Sequence, residues 1–123
     1  MKVTLEDIIQ AIYLLPPEVL EEVLVHFQYL EFPKNYFLLK AGKPCKHLWF
    51  MTKGAIRYFY TNDQGKEMNT WFSLDTQIIS DAPSLVNQTV SQESIQLMED
   101  SEMYSIEYAA LQTLLQKHHS FAL

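Results

Sequence analysis

The sequence predicts a mainly β domain with flanking helices, its strands arranged as an antiparallel sandwich or barrel. Three observations carry that prediction. From about Phe32 the chain breaks into short segments rich in aromatic and branched residues, separated by turn residues at intervals of roughly 8 to 12 positions. Helical spacing of apolar residues is confined to the two ends. The 123 residues, 48% of them hydrophobic, supply one packed core and too little chain for two ordinary domains. Residues 1–123 are therefore read as a single domain, with N-terminal helices over 1–31, sheet over 32–106 and a C-terminal helix over 107–123.

At the N-terminus, Leu5, Ile8, Ile9 and Ile12 recur at helical spacing in "TLEDIIQAIYLL", and Thr4 with Asp7 forms a start resembling a capping box. Pro16 and Pro17 end that helix. Pro17 also suits the first position of a second helix, "PEVLEEVLVHFQYLE", which has Glu18, Glu21 and Glu22 near its positive end. Leu20, Val23, Leu24 and Phe27 line one face of it, a stripe that belongs to the core.

The strand-like segments follow as "YFLLK", "HLWFMT", "AIRYFY", "EMNTWFSL", "QII", "SIQLM" and "EMYSI". Between them lie "AGKPC", "KG", "NDQGK", "DT", a long polar loop over 80–93 and "ED", each containing residues suited to turns. Gly54 falls between two strands, where a positive φ or a close backbone approach excludes a side chain. Tyr108, Leu111, Leu114 and Leu115 then restore helical spacing in "YAALQTLLQKHHSFAL".

Charge and composition exclude several functions. A net charge of -6 repels a phosphate backbone, because affinity for DNA rests on Lys and Arg displacing condensed counterions. Cys45 is the only cysteine, so neither an intrachain disulfide nor a thiolate metal cage can form, which fits a reducing cytoplasm. No apolar run is long enough to span a bilayer, and "MKVTLEDIIQ" lacks the uninterrupted apolar stretch of a signal peptide. A soluble cytoplasmic protein is expected, without a membrane partner.

Signals for catalysis are missing as well. His26, His47, His118 and His119 show no spacing that directs two imidazoles at one ion, so neither metal nor cofactor is expected. There is no G-x-S-x-G elbow, P-loop or dinucleotide-binding glycine pattern. Asp75, Asp81, Glu93, Glu99 and Asp100 are scattered over turns, where solvation accounts for them. Trp49, Phe50, Tyr58, Phe59, Tyr60, Trp71 and Phe72 offer stacking surfaces for bases, but they lie in strands whose alternate side chains must fill a core.

The stretch "LLKAGKPCKHLWFMTKGAIRYFYTNDQGKEMNTWF" resembles the cyclic-nucleotide-binding domain of Crp/Fnr-type bacterial transcription regulators. The resemblance runs from about Phe32 to Gln116. It rests on Gly42 in the first turn, "HLWFMTKG" closing on Gly54, "GKE" beginning at Gly65, and "EDSEMYSIEYAALQTLL" as the last strand entering a helix. It implies an antiparallel β-roll, a double-stranded, jelly-roll-like β-helix, with helices before and after it.

It also implies a phosphate-binding cassette in which a Gly-Glu pair contacts phosphate and ribose and an Arg followed by a small hydroxyl residue clamps the cyclic phosphate. Counting back from "SIEYAALQTLL", the Gly-Glu position falls on Ser80 and Asp81, and the Arg position on Ser91, followed by Gln92. Those four are the candidate ligand-binding residues of a degenerate cassette. An Arg–phosphate pair is bidentate and charge-assisted, whereas serine offers one neutral hydrogen bond. Losing the clamp weakens binding by about ten- to a hundredfold or more.

The resemblance therefore implies a non-catalytic ligand-sensing domain that does not bind cyclic AMP tightly. An unidentified small molecule, neutral or cationic, is its expected partner, unless the pocket is filled by its own side chains. The chain itself is not expected to bind nucleic acid; DNA would be read only by a winged helix-turn-helix in a longer native chain. Two copies are expected to pair weakly through the C-terminal helix. The alternatives on the same architecture are a cupin-like enzyme and a purely structural interaction module.

Overall fold

A computed structural model describes residues 4–12, 16–74 and 77–117. The expectations placed on Asp75 and on the His118–His119 pair fall outside them. Two helices, α1 (Leu5–Ile12) and α2 (Pro17–Leu24), lead into β1 (Gln28–Phe32), β2 (Phe37–Leu39), β3 (His47–Lys53) and β4 (Ile56–Thr61). Then come β5 (Glu67–Ser73), β6 (Gln77–Ile79), the short α3 (Ala82–Asn87), β7 (Ser94–Leu97), β8 (Ser101–Glu107) and α4 (Tyr108–Lys117). The strands form two four-stranded sheets in the orders β1-β8-β3-β6 and β2-β7-β4-β5, and every pairing is antiparallel. This is the jelly-roll-like β-roll with flanking helices that the sequence predicts.

The helix starts behave as read. The Thr4 amide donates to Asp7 Oδ2 at 3.0 Å and the Asp7 amide donates to Thr4 Oγ1 at 3.2 Å, a reciprocal capping box. Those bonds hold the Asp7 carboxyl below its usual range. Pro17 occupies the first turn of α2, where its missing N–H costs nothing.

The expected helix over 17–31 is shorter than read. It ends at Leu24, and the His26 and Phe27 amides close a tight turn by donating to the Val23 and Leu24 carbonyls at 3.1 Å. Residues 28–32 instead extend as β1 along β8, with Tyr29 opposite Tyr104 and their rings 5.3 Å apart. A full ladder to a distant strand outweighs the local helical pattern.

Two apolar clusters organise the packing. Between the sheets lie Trp49, Met51, Ile56, Ile95, Leu97 and Met103 among others. Burying side chains of this kind contributes roughly 1.5–3 kcal/mol each. The second cluster joins Leu5, Ile9, Val23 and Leu114 from the helices to Phe50 and Ile106 on the reverse face of β3 and β8. Strand alternation does this: Trp49 and Met51 face the roll interior while Phe50 meets Phe27 edge-on at 5.1 Å.

Gly54 sits at the β3–β4 junction with φ +139°, and a Cβ there would lie 2.1 Å from Ser101 Oγ. Both reasons foreseen for a glycine at this position hold together.

Candidate functional site

Segment 80–93 follows β6 and contains the short helix α3. Its first end is held by Tyr58 on β4. The Tyr58 hydroxyl donates to the Ser80 carbonyl at 3.1 Å and accepts from the Ser80 amide at 3.2 Å. Ser80 Oγ donates to the His47 carbonyl on β3 at 3.3 Å and lies 3.5 Å from Cys45 Sγ.

Asp81 caps α3. Its Oδ1 accepts from the Ser84 amide at 3.2 Å, which satisfies one of the orphan donors of a helix start. Its Oδ2 accepts from the Ser91 hydroxyl. Ser84 is buried; its Oγ accepts from the Cys45 amide at 2.8 Å and donates to the Thr89 carbonyl. Gln88 ends the helix in the left-handed conformation, at φ 56°.

The far end of the segment is anchored by backbone. The Ser91 amide donates to the Lys43 carbonyl and the Gly42 amide donates to the Ser91 carbonyl, each at 2.8 Å. Ser91 Oγ also lies 2.8 Å from the Glu93 carbonyl and accepts from the Glu93 amide at 3.1 Å. A serine hydroxyl has one proton, and the carboxylate of Asp81 is the stronger acceptor for it. The Glu93 carboxylate accepts from Thr70 Oγ1 on β5 at 2.6 Å. Of the four candidate residues, Ser80, Asp81 and Ser91 come together, whereas Gln92 is exposed beside them.

The chain's only arginine lies elsewhere. Alternation on β4 turns Tyr58 toward the roll interior and Arg57 to the opposite face. There the guanidinium donates to Gln96 Oε1, to Asn69 Oδ1 and to Glu67 Oε1, the last two at 3.0 Å, and lies 3.9 Å above the Phe59 ring. The ion pairs Lys53–Glu102, Arg57–Glu67 and Lys117–Glu22 are all away from segment 80–93. Among the described residues, no group of three or more His, Cys, Asp or Glu side chains is placed to hold a metal ion.

Burial pushes the Tyr58 phenol up to about 12, with Cys45, Glu93 and Asp81 adding to the rise and the bond to Ser80 opposing it. The folded chain then keeps its proton at pH values where the unfolded chain, with a value near 10, ionises. Its contribution to stability is complete below about pH 10 and is lost as pH rises through about 12. Tyr58→Phe is expected to flatten that alkaline loss in denaturant titrations at stepped pH. Tyr29, whose hydroxyl bonds Glu102 and is also raised to about 12, keeps its share in the variant.

The sequence alone did not single out Cys45 or Thr70 as neighbours of segment 80–93, nor Ser84 as a buried residue within it. Tyr58 was legible as an inward position in "AIRYFY", since alternate residues share a face. Cys45 and Thr70 carry no such signal, because their proximity depends on how β3 and β5 are placed against the segment.

The family model for the cyclic nucleotide-binding domain matches residues 29–118. The chain belongs to the cyclic nucleotide-binding domain family. Among solved structures, this domain is similar to the catabolite activator protein of Thermus thermophilus, at 21% identity and a TM-score of 0.75, over 88% of this chain and 50% of that one. It is also similar to the sensor domain of the transcriptional regulator DNR from Pseudomonas aeruginosa, at 17% identity and a TM-score of 0.80, over 95% and 80% of the two chains. A third match is the regulatory domain of Toxoplasma gondii PKA, solved with cAMP, at 14% identity and a TM-score of 0.77, over 89% and 42%. A search of curated proteins gives no significant match. This domain thus spans about half the length of the Thermus protein. The expected resemblance to a cyclic-nucleotide-binding domain agrees with the family. No helix among the described residues is long and apolar enough to cross a membrane.

Proposed function

We propose that this cyclic nucleotide-binding domain is a ligand-sensing, regulatory module of the Crp/Fnr type whose cassette does not grip a cyclic nucleotide tightly. One observation carries the reading. The segment corresponding to the phosphate cassette presents Asp81 and Glu93, while the chain's only arginine, Arg57, is spent on the outer face of the roll. A phosphate entering beside those carboxylates meets like charge and has no guanidinium to pair with.

The ligand that fits this chemistry is neutral or cationic and meets Ser80, Asp81, Ser91 and Gln92. If the native chain continues into a winged helix-turn-helix, the output is transcriptional, through pairing of copies at the C-terminal helix and DNA contacts made by that further domain. Isothermal titration with cyclic AMP and cyclic GMP is expected to give no heat of binding at micromolar concentrations. Micromolar affinity for either nucleotide overturns the reading.

A further inference from the structure

We propose that Asp81 is an autoinhibitory latch: its bond to Ser91 closes the 81–91 segment on itself and holds the cassette shut. The inference deepens the cassette reading of this segment and rests on it. Both ends of the segment are already fixed to the frame, Ser80 by Tyr58 and by the His47 carbonyl, Ser91 by the backbone of Gly42 and Lys43. The Asp81 carboxylate then joins those ends with its two oxygens, one accepting from the Ser84 amide and the other from the Ser91 hydroxyl.

The polar groups that line the segment are thereby satisfied from within. Ser84 and Ser91 are buried, and no buried side-chain nitrogen or oxygen among the described residues lacks a partner. An entering ligand must first take the Ser91 proton away from Asp81, a charge-assisted bond and therefore among the stronger kinds. Val86 and Val90 on the segment are already exposed, whereas Leu85 is buried in the cluster between the sheets, so opening that keeps Leu85 in place is the motion the latch controls.

Hydrogen exchange on the ligand-free protein tests this without any nucleotide, so its outcome is independent of the cyclic AMP titration. Asp81→Ala and Ser91→Ala are each expected to speed exchange of amides 84–91 by roughly ten- to a hundredfold. Ser91→Thr, which keeps the hydroxyl, is expected to leave exchange within about threefold of the parent. The double Ala variant is expected to exchange more slowly than the product of the two single effects, because the shared Asp81–Ser91 bond is lost only once, while the Asp81 cap on the Ser84 amide and the Ser91 bond from the Glu93 amide are lost separately. Peptides from β1, far from the segment, report whether each variant is folded. Unchanged exchange in the folded single variants, or fully multiplying effects in the double variant, overturns the latch. Should the Ala variants fail to fold, the Ser91 hydroxyl proton of the parent gives the second readout: a slowly exchanging NMR signal supports the latch, and exchange at the solvent rate overturns it.

Discussion

Gly54→Ala is expected to destabilise the domain by about 2–6 kcal/mol, measured as a shift in the denaturant midpoint at constant slope. Two costs combine. The backbone φ of +139° is one that L residues rarely adopt, and the new methyl would lie 2.1 Å from Ser101 Oγ, 2.5 Å from its Cβ and 3.1 Å from its Cα. Ser101 cannot easily yield: it is buried, opens β8, and its hydroxyl donates to the Glu99 carbonyl at 2.9 Å. Adding Ser101→Gly is expected to recover part of the loss by removing the side-chain clash, while the dihedral strain and the crowding against the β8 backbone remain. A domain of this size has only about 5–15 kcal/mol in total, so the single variant should be visibly unfolded at modest denaturant. A Gly54→Ala variant with parental stability would mean that the β3–β4 junction does not approach β8 in this way.

Rebuilding the cationic clamp is expected to produce the largest functional change. The combined substitution Ser80→Gly, Asp81→Glu, Ser91→Arg and Gln92→Ser gives the segment the cassette pattern that the family resemblance implies. A charge-assisted bidentate contact replaces one neutral bond, and cyclic AMP affinity should rise by about ten- to a hundredfold or more above that of the parent. Calorimetry on a variant whose melting remains cooperative makes the comparison. A folded variant that binds no better than the parent would show that the missing groups are not what limits affinity. The same four changes break the bond between positions 81 and 91, so the gain reports on clamp and latch together, whereas hydrogen exchange reports on the latch alone.

The sheet was largely legible in the sequence because aromatic and branched segments with turn residues between them leave little choice of element, and Gly54 announced a close approach before any partner was known. The α2–β1 boundary was not legible. Val23, Leu24 and Phe27 continue a helical stripe with no Gly or Pro before Pro33, and only the long-range ladder to β8 makes Gln28–Phe32 a strand. For the candidate cassette, counting along the chain singled out Ser80, Asp81 and Ser91, since the spacing implied by the family resemblance is a one-dimensional property. Their bonding is not: Cys45, Tyr58 and Thr70 reach the segment from three other places in the chain, and only the packed roll brings them there.

Strand β3 has a different task on each side. One side supplies the His47 carbonyl to Ser80 and sets Trp49 and Met51 into the roll, and the other sets Phe50 against the helices. Leu48 packs against both clusters. A displacement of Ser80 would therefore act on β3 at His47, the same strand whose Phe50 packs with residues of α1, α2 and α4.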